Sequence, residues 1–443
     1  MTFRLLWTRK PVGLWAPVSL AALLFSGCES HPPPRPWNPD SPATFLKRVM
    51  ASDAQDEDRF GSTVDIDGDL VVVGTNNMFA HDYRPGKAFI YSRNEGGADA
   101  WGEVLRLAAS DGEDVDLFGY AVSADGDKAI IGAGAEDNID IDVGAAYMYS
   151  RNEGGTDTWG QMKKMIPSDG QSGDGFGYTV SLDGDTALIG APLRSETAWA
   201  SGAAYLFARD QGGTDNWGEV KKILPAGLPE AAGYGYAVAV NGSKAVVGAM
   251  LEDGAGENRG AAYIFYRDSG GPGNWGEVKK LTAFDAEDRD QYGISVCIFE
   301  DLLIIGAGWK HEAGVEMGAA YIYSRNAGGP DNWGLVKKLS ASDGAFGDGF
   351  GFSVSLSADH AIIGAPGKGG EIMGLGAVYV FQRDLGGLDN WGEAGKIVPV
   401  DANETCWFGY STAISGDRFA VGAPFKRGGQ AHGGAVYLFR LRS

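Results

Sequence analysis

Hydrophobic and polar positions alternate in short runs along the chain, most clearly in FGYTVSLDGDTALIGAP, residues 176–192. Its first seven residues alternate large and small side chains, which predicts a strand, and DGD predicts a tight hairpin turn. TALIGA predicts a second, more continuously apolar strand. An eleven-residue loop, a strand GAAYLFAR, the turn DQGGTDN and a strand WGEVKKIL complete a unit of four short strands. The lysine pair of the fourth strand suits the outer edge of a sheet, where charge discourages pairing with other chains.

The unit recurs seven times with a constant period of 58 residues. The aromatic residue that opens it stands at Phe60, Phe118, Phe176, Tyr234, Tyr292, Phe350 and Phe408. A fixed long period indicates one supersecondary unit stacked on copies of itself. Seven four-stranded units predict an all-β fold, a seven-bladed β-propeller. The last unit lacks a fourth strand, and Thr44–Asp53 aligns with the fourth strands. We therefore expect the N-terminal strand to complete the last blade and close the ring.

Residues 1–27 have the pattern of an export signal. Basic residues precede an apolar run, Val12 to Phe25, that is too short to span a bilayer comfortably. The run ends in LLFSGC, which resembles a bacterial lipobox and implies that lipid is attached to Cys28; a plain secretory signal with an incidental cysteine is the alternative. Prolines in residues 28–43 favour an extended tether, which leaves 44–443 for the propeller. The sequence thus predicts an extracytoplasmic lipoprotein, at the cell surface or in the periplasm.

The phrase that opens each unit resembles the FG-GAP repeats of integrin α-subunit propellers and their bacterial relatives, over about 400 of the 443 residues. The resemblance implies extracellular binding or adhesion rather than catalysis. Integrin-type repeats often carry a calcium loop between the first two strands. Asp65, Asp67 and Asp69 match its first three acidic positions, but its glycine and last acid are absent, which favours a solvated hairpin turn.

Two kinds of connection alternate around such a propeller. The 1→2 and 3→4 turns share one face, the lower face, and are monotonous in sequence. The 2→3 and 4→1 loops share the other, the upper face; the 2→3 loops keep their length but vary in content. The upper-face loops hold 31 acidic and 9 basic residues, in a chain of net charge −21. These features predict a binding surface and argue against nucleic acid as a partner; an acidic surface kept for solubility is the alternative.

The tryptophans follow the same division between framework and upper face. Six recur once per unit and predict core between blades: Trp101, Trp159, Trp217, Trp275, Trp333 and Trp391. Trp199, Trp309 and Trp407 fall outside that register, in upper-face loops. Exposed aromatic residues of this kind are typical anchors for proteins or sugars, whereas packing of each ring on its own loop is the alternative.

Three 4→1 segments carry aspartates in the spacing D-x-x-D-x-D: Asp53, Asp56 and Asp58; Asp111, Asp114 and Asp116; Asp285, Asp288 and Asp290. Hard oxygen ligands at short loop spacing suit Ca²⁺, which is the one cofactor that the sequence suggests. The first aspartate also recurs in units that lack the other two. That recurrence favours an Asx-type turn at the crossing between blades.

No catalytic motif accompanies the repeats. The five histidines lack metal-type pairing, and G-x-S-x-G is absent. Cys297 and Cys406 belong to blades that are not neighbours, which predicts free thiols. The sequence therefore predicts a non-enzymatic, lipid-anchored propeller that binds a protein or glycan through its acidic face. A structural part of a surface assembly, or a glycan- or peptide-cleaving enzyme on the same scaffold, is the alternative.

Overall fold

The structure, a computed structural model, describes residues 41–76, 85–113, 116–137, 140–369, 374–401, 404–427 and 433–442. Strand β1 (Ala43–Val49) precedes the first blade. Blade 1 consists of β2 (Thr63–Asp67), β3 (Leu70–Gly74), β4 (Ala88–Ser92) and β5 (Gly102–Leu107). Blade 2 consists of β6 (Phe118–Asp125), β7 (Lys128–Ala133), β8 (Ala145–Ser150) and β9 (Gly160–Met165). Blade 3 consists of β10 (Thr179–Asp183), β11 (Thr186–Ala191), β12 (Ala203–Ala208) and β13 (Gly218–Ile223).

The remaining blades repeat this arrangement. Blade 4 consists of β14 (Tyr234–Asn241), β15 (Lys244–Ala249), β16 (Ala261–Tyr266) and β17 (Gly276–Leu281). Blade 5 consists of β18 (Ser295–Phe299), β19 (Leu302–Ala307), β22 (Ala319–Ser324) and β23 (Gly334–Leu339), and its 2→3 loop carries the short pair β20 (His311–Glu312) and β21 (Val315–Glu316). Blade 6 consists of β24 (Ser353–Leu356), β25 (His360–Ala365), β26 (Ala377–Gln382) and β27 (Gly392–Ile397). Blade 7 contains β28 (Thr412–Ser415), β29 (Arg418–Ala423) and β30 (Ala435–Leu441).

Each blade is a four-stranded antiparallel sheet whose strands pair in chain order, and the blades form a ring. The first strand of every blade packs against the first strand of the next, and β28 packs against β2, so the first strands line the central axis. The described residues contain no helix, and therefore no helix that could cross a membrane. The predicted all-β, seven-bladed propeller is confirmed.

The N-terminal strand closes the ring as predicted. It is the fourth strand of blade 7, because β1 pairs with β30 from Ala43 opposite Leu441 to Val49 opposite Val436. The pairing removes the open edge that β30 would otherwise present. The amide of Leu441 donates to the carbonyl of Asp417 in a lower-face turn at 2.7 Å. The chain therefore enters β1 and leaves β30 at the lower face.

Packing between blades explains why the opening phrase keeps its aromatic residue and its glycine. Phe176 is fully buried and meets the Tyr205 ring edge to face at 5.4 Å. Gly177 has a φ of +89°, and a Cβ there would lie 2.0 Å from the carbonyl oxygen of Ala145 in the preceding blade. Only glycine allows the two backbones to approach so closely. The six periodic tryptophans are buried, as predicted.

The lysine pairs lie on the outer strands, as expected, but their ammonium groups are engaged. The first lysine of a pair bridges to the asparagine of the next blade, as Lys163 does to Asn216 at 3.0 Å and Lys337 to Asn390 at 2.9 Å. The second lysine bonds a carboxylate of an upper-face loop, as described below. These residues therefore connect blades in addition to charging the edge.

Candidate functional site

Five aromatic residues meet at the centre of the upper face, where the innermost strands begin. They stand two positions after the aromatic residue that opens each unit, and we call them the central aromatic ring: Tyr120, Tyr178, Tyr236, Phe352 and Tyr410. Ring centroids are 4.6 Å apart for Tyr120 and Tyr178, 5.2 Å for Tyr178 and Tyr236, and 4.9 Å for Phe352 and Tyr410. The Tyr120 hydroxyl donates to that of Tyr178 at 2.7 Å.

Two of the three predicted upper-face tryptophans extend this ring. Trp309 of blade 5 lies 5.8 Å from Phe352, and Trp407 lies 6.1 Å from Tyr410 and 5.2 Å from Phe425. Trp309 thus packs on the neighbouring blade 6, whereas Trp407 packs on two rings of its own blade 7, and both indoles are half-buried. Trp199 is 51% exposed in the blade 3 loop, and no ring contact in the described residues joins it to the others.

The central aromatic ring offers neutral hydroxyls and aromatic edges. Its members are half-buried, and burial raises the pKa values of Tyr120, Tyr178 and Tyr236 well above the ordinary tyrosine value. Their hydroxyls therefore stay protonated across the physiological pH range. Such a surface can stack on apolar or sugar rings and exchange hydrogen bonds with them. Sequence reasoning missed it, although an aromatic residue recurs at this position in five units.

The predicted calcium ligands contact protein groups in the structure. Asp111 accepts the Tyr147 hydroxyl at 2.9 Å and Lys164 at 2.7 Å. Burial alone would raise the pKa of Asp111, but these two hydrogen bonds lower it. Asp285 accepts Tyr321 at 2.8 Å and also Lys338, and Asp53 accepts Lys87 at 2.9 Å and also Arg106. The recurrence of the first aspartate is explained by its contact with a cation, to which blades 2 and 5 add a tyrosine hydroxyl.

The other aspartates of these segments contact different groups. Asp58, Asp116 and Asp290 each accept the backbone amide three residues earlier. Asp56 lies in the same turn as Asp58, and Asp288 pairs with Arg259 at 2.9 Å. Asp114 and Cys28 lie outside the described residues. In the part of the chain that the structure describes, no group of three histidine, cysteine, aspartate or glutamate side chains is arranged so that it could hold a metal ion, and the calcium site stays a prediction.

Carboxylates of the 1→2 turns connect neighbouring blades. Asp65 accepts the hydroxyl of Ser123 at 3.0 Å and the amide of Ala124 at 2.8 Å, and Asp67 accepts the amide of Gly126 at 2.8 Å. Burial raises the pKa of Asp65 to about 6. The prediction of a solvated turn is therefore wrong for Asp65, because the next blade supplies its donors. Cys297 and Cys406 are free thiols, as predicted.

Cations of the fourth strands reach the upper-face carboxylates and offset part of their charge. Lys164, Lys222, Lys280, Lys338 and Lys396 all do so. Blade 2 is the least compensated, because its two upper-face loops hold eight acidic and no basic residues. There an open cleft of about 440 Å³, the blade-2 cleft, is lined by Asp111, Glu113, Asp116, Glu136, Asp137, Lys164 and Ile166.

Comparison with known proteins agrees with this architecture. The family model described as FG-GAP repeat matches seven segments: 44–91, 101–149, 159–207, 217–265, 275–323, 333–381 and 391–439. Each segment begins with a fourth strand and continues through the first three strands of the next blade, so the matches cover all seven blades. No curated protein matches the chain.

Proposed function

Because the chain belongs to the FG-GAP repeat family, whose propellers are often binding modules, we propose that it binds a protein or glycan on its upper face without catalysis. The observation that carries the proposal is the central aromatic ring. Five blades each contribute one aromatic side chain to the same point, where variable loops of fixed length surround it. Aromatic side chains bring large contact area at low entropic cost, and such clusters commonly anchor binding partners.

Trp309 and Trp407 widen the aromatic surface towards blades 5 and 7. Arg59 lies 5.0 Å from the ring of Phe425 and adds a cation to this edge. The surrounding loops remain acidic after the fourth-strand cations are counted, most of all at blade 2, so the rim favours partners that carry basic groups. We place the aromatic surface at the centre of the contact and the acidic loops at its rim.

Location is the second part of the proposal. We infer from LLFSGC and the proline-rich residues 28–43 that the chain is exported and held at a membrane through lipid on Cys28. An extracytoplasmic position gives the upper face access to surface proteins and glycans.

Capture experiments with the full chain, made soluble by Cys28→Ser, test the proposal on surface material and on a glycan array. Trp309→Ala and Trp407→Ala remove contact area next to the central aromatic ring, and we expect each to weaken binding at least tenfold without changing the melting temperature by more than a few degrees. Trp199→Ala, on the same face, and Leu388→Ala, which is 87% exposed in a lower-face turn, are matched controls. Equal binding by all four variants would overturn the proposal.

A further inference from the structure

One register position in the upper-face loops is occupied by a cation in four blades. It is filled by Arg194, Lys310, Lys368 and Lys426. Lys310 is 1% exposed, and its ammonium lies 3.1 Å from Asp290. Lys368 lies 2.7 Å from Asp348, and Arg194 lies 2.5 Å from Asp174. In blades 3, 5 and 6 this internal cation neutralises the last aspartate of the 4→1 segment. In blade 7 Cys406 stands in place of that aspartate, and Lys426 pairs with Asp401 and Glu404 instead.

Blade 2 has Glu136 at this position, facing Asp116, whose counterparts in blades 3, 5 and 6 are neutralised in this way. Glu136 and Asp116 are each 3% exposed. Lys164 donates to Glu136 Oε1 and to Asp111, both at 2.7 Å. Glu136 Oε2 is buried and has no hydrogen-bond partner among the described residues. Asp111, Asp116 and Glu136 therefore share one cation, Lys164. Blades 3, 5 and 6 have a second cation in their loops.

Blade 4 shows what a glutamate at this position requires. Glu252 occupies it, but Gly227 and Ala232 stand where blade 2 has the first and last aspartates of its 4→1 segment. Glu252 takes over the contacts of the missing first aspartate, because it accepts the Tyr263 hydroxyl at 2.6 Å and pairs with Lys280. One carboxylate therefore faces one ammonium group at this position of blade 4. Blade 2 keeps both aspartates and adds the glutamate.

Buried carboxylates without a counter-charge are costly, so the blade-2 cleft needs a proton or a cation. Burial and the neighbouring Glu136 raise the pKa of Asp116 to about 7. The cleft is open to solvent on the side where Glu113 and Asp137 add negative charge. A cation from outside can therefore reach the position that Lys310 occupies from within in blade 5.

We propose that the blade-2 cleft binds a primary ammonium group from outside the chain, between Asp116 and Glu136 and beside Asp111. An ammonium group is favoured because three of the four internal cations at this position are lysines. The group belongs either to a lysine side chain of the partner or to a free polyamine. As a lysine site it rests on the proposed function and gives the chemistry by which the upper face selects its partner.

Titration calorimetry at pH 8 and constant ionic strength tests the site with Nα-acetyl-lysine amide, and with its Nε-acetylated form as a neutral control. We expect saturable heat from the first compound only. Glu136→Lys places an internal ammonium in the cleft and should abolish binding, whereas Asp140→Lys, an equal charge change at an exposed position of the same loop, should retain it. If Glu136→Lys does not fold, Glu136→Gln should weaken binding about tenfold.

Further ligands distinguish a partner lysine from a free polyamine as the source of the ammonium group, and distinguish failure of this inference from failure of the proposed function. Spermidine that binds more than tenfold tighter than the lysine probe identifies a polyamine site; loss of partner capture in Glu136→Lys identifies a partner lysine. Equal heat from the acetylated probe, undiminished binding to Glu136→Lys, or no heat at all would each overturn the proposal. Saturable heat from CaCl₂ that Glu136→Lys abolishes would overturn it as well, because the cleft would then be a calcium site. Capture that depends on Trp309 but not on Glu136 would leave the proposed function intact and remove only this inference.

Discussion

Some single residues differ in charge from the residues at the same position of the other units, and Glu136 is the clearest case. Six other units place arginine, lysine, methionine or a compensated glutamate at its position. The substitution changes no strand, yet it leaves Asp116 beside a second buried carboxylate. The other charged or titratable groups around Asp116 and Glu136 are Asp111, Glu113, Asp137, Tyr147 and Lys164. Stability should therefore depend on pH through this pair.

The pH prediction concerns Asp116. Its pKa is about 7 in the folded protein, against 3.8 when unperturbed, so the folded state holds a proton that the unfolded state loses. Stability should fall by up to about 1.4 kcal/mol per pH unit from pH 4 to 7 and level off above it. Glu136→Lys should remove this loss, and the gap between variant and wild type should widen with pH in thermal denaturation. Asp140→Lys should run parallel to the wild type; a constant gap for Glu136→Lys would contradict the prediction.

Glycines of the opening phrase provide a second test at the residue scale. Gly177→Ala forces a Cβ against the backbone of the preceding blade and keeps a positive φ, so we expect a loss of several kcal/mol in the free energy of unfolding. Gly184→Ala is the matched control, because its φ is +57° but no atom lies within 4 Å of the added Cβ. It should cost about 1 kcal/mol. Similar melting temperatures for the two variants would show that contact between blades is not the constraint.

Whole elements were largely predictable because each strand carries its own pattern and turn residues. The four strands of a unit follow from alternation, DGD turns and glycine pairs, and closure by β1 follows from the missing fourth strand. The pair β20–β21 escaped prediction, since two-residue strands are too short to show periodicity. The central aromatic ring escaped because it forms only when positions 58 residues apart converge on the axis.

Ring closure gives a prediction for an element. Deleting Ala43–Val49 leaves β30 as an open edge and uncovers the buried residues that β1 packs against, so we expect a loss of several kcal/mol and aggregation through that edge. Thermal denaturation and size-exclusion chromatography measure both effects. Deleting residues 30–36, in the tether, is the control and should change neither. A melting temperature equal to that of the wild type would exclude closure by β1.

Charge at the scale of the whole molecule could be only partly predicted. The 31 acidic and 9 basic residues of the upper-face loops indicated a strongly negative face. Loop composition omitted the fourth-strand cations, whose long side chains reach that face, as Lys222 does to Asp169 and Glu196 at 2.7 Å each. The negative charge is consequently concentrated at blade 2 rather than spread around the ring.

Membrane attachment is tested on the whole protein. Cys28→Ser removes the only residue of LLFSGC that can carry the lipid, and we expect the variant to move from the membrane fraction to the soluble fraction. Metabolic labelling with a fatty acid should mark the wild type alone. Ser26→Ala, which leaves the cysteine, is the control. A variant that stays with the membrane, together with an unlabelled wild type, would contradict the lipoprotein hypothesis.

The entry of β1 and the exit of β30 at the lower face fix how the disc would be presented. An attachment to the chain before residue 41 is therefore connected to the propeller at the lower face of blade 7. A membrane that holds Cys28 therefore faces the monotonous turns, and the loops with the central aromatic ring point outward. Residues 28–42 span at most roughly 50 Å when extended. The propeller can therefore change its orientation relative to the membrane only within that distance, and its upper face stays accessible to partners.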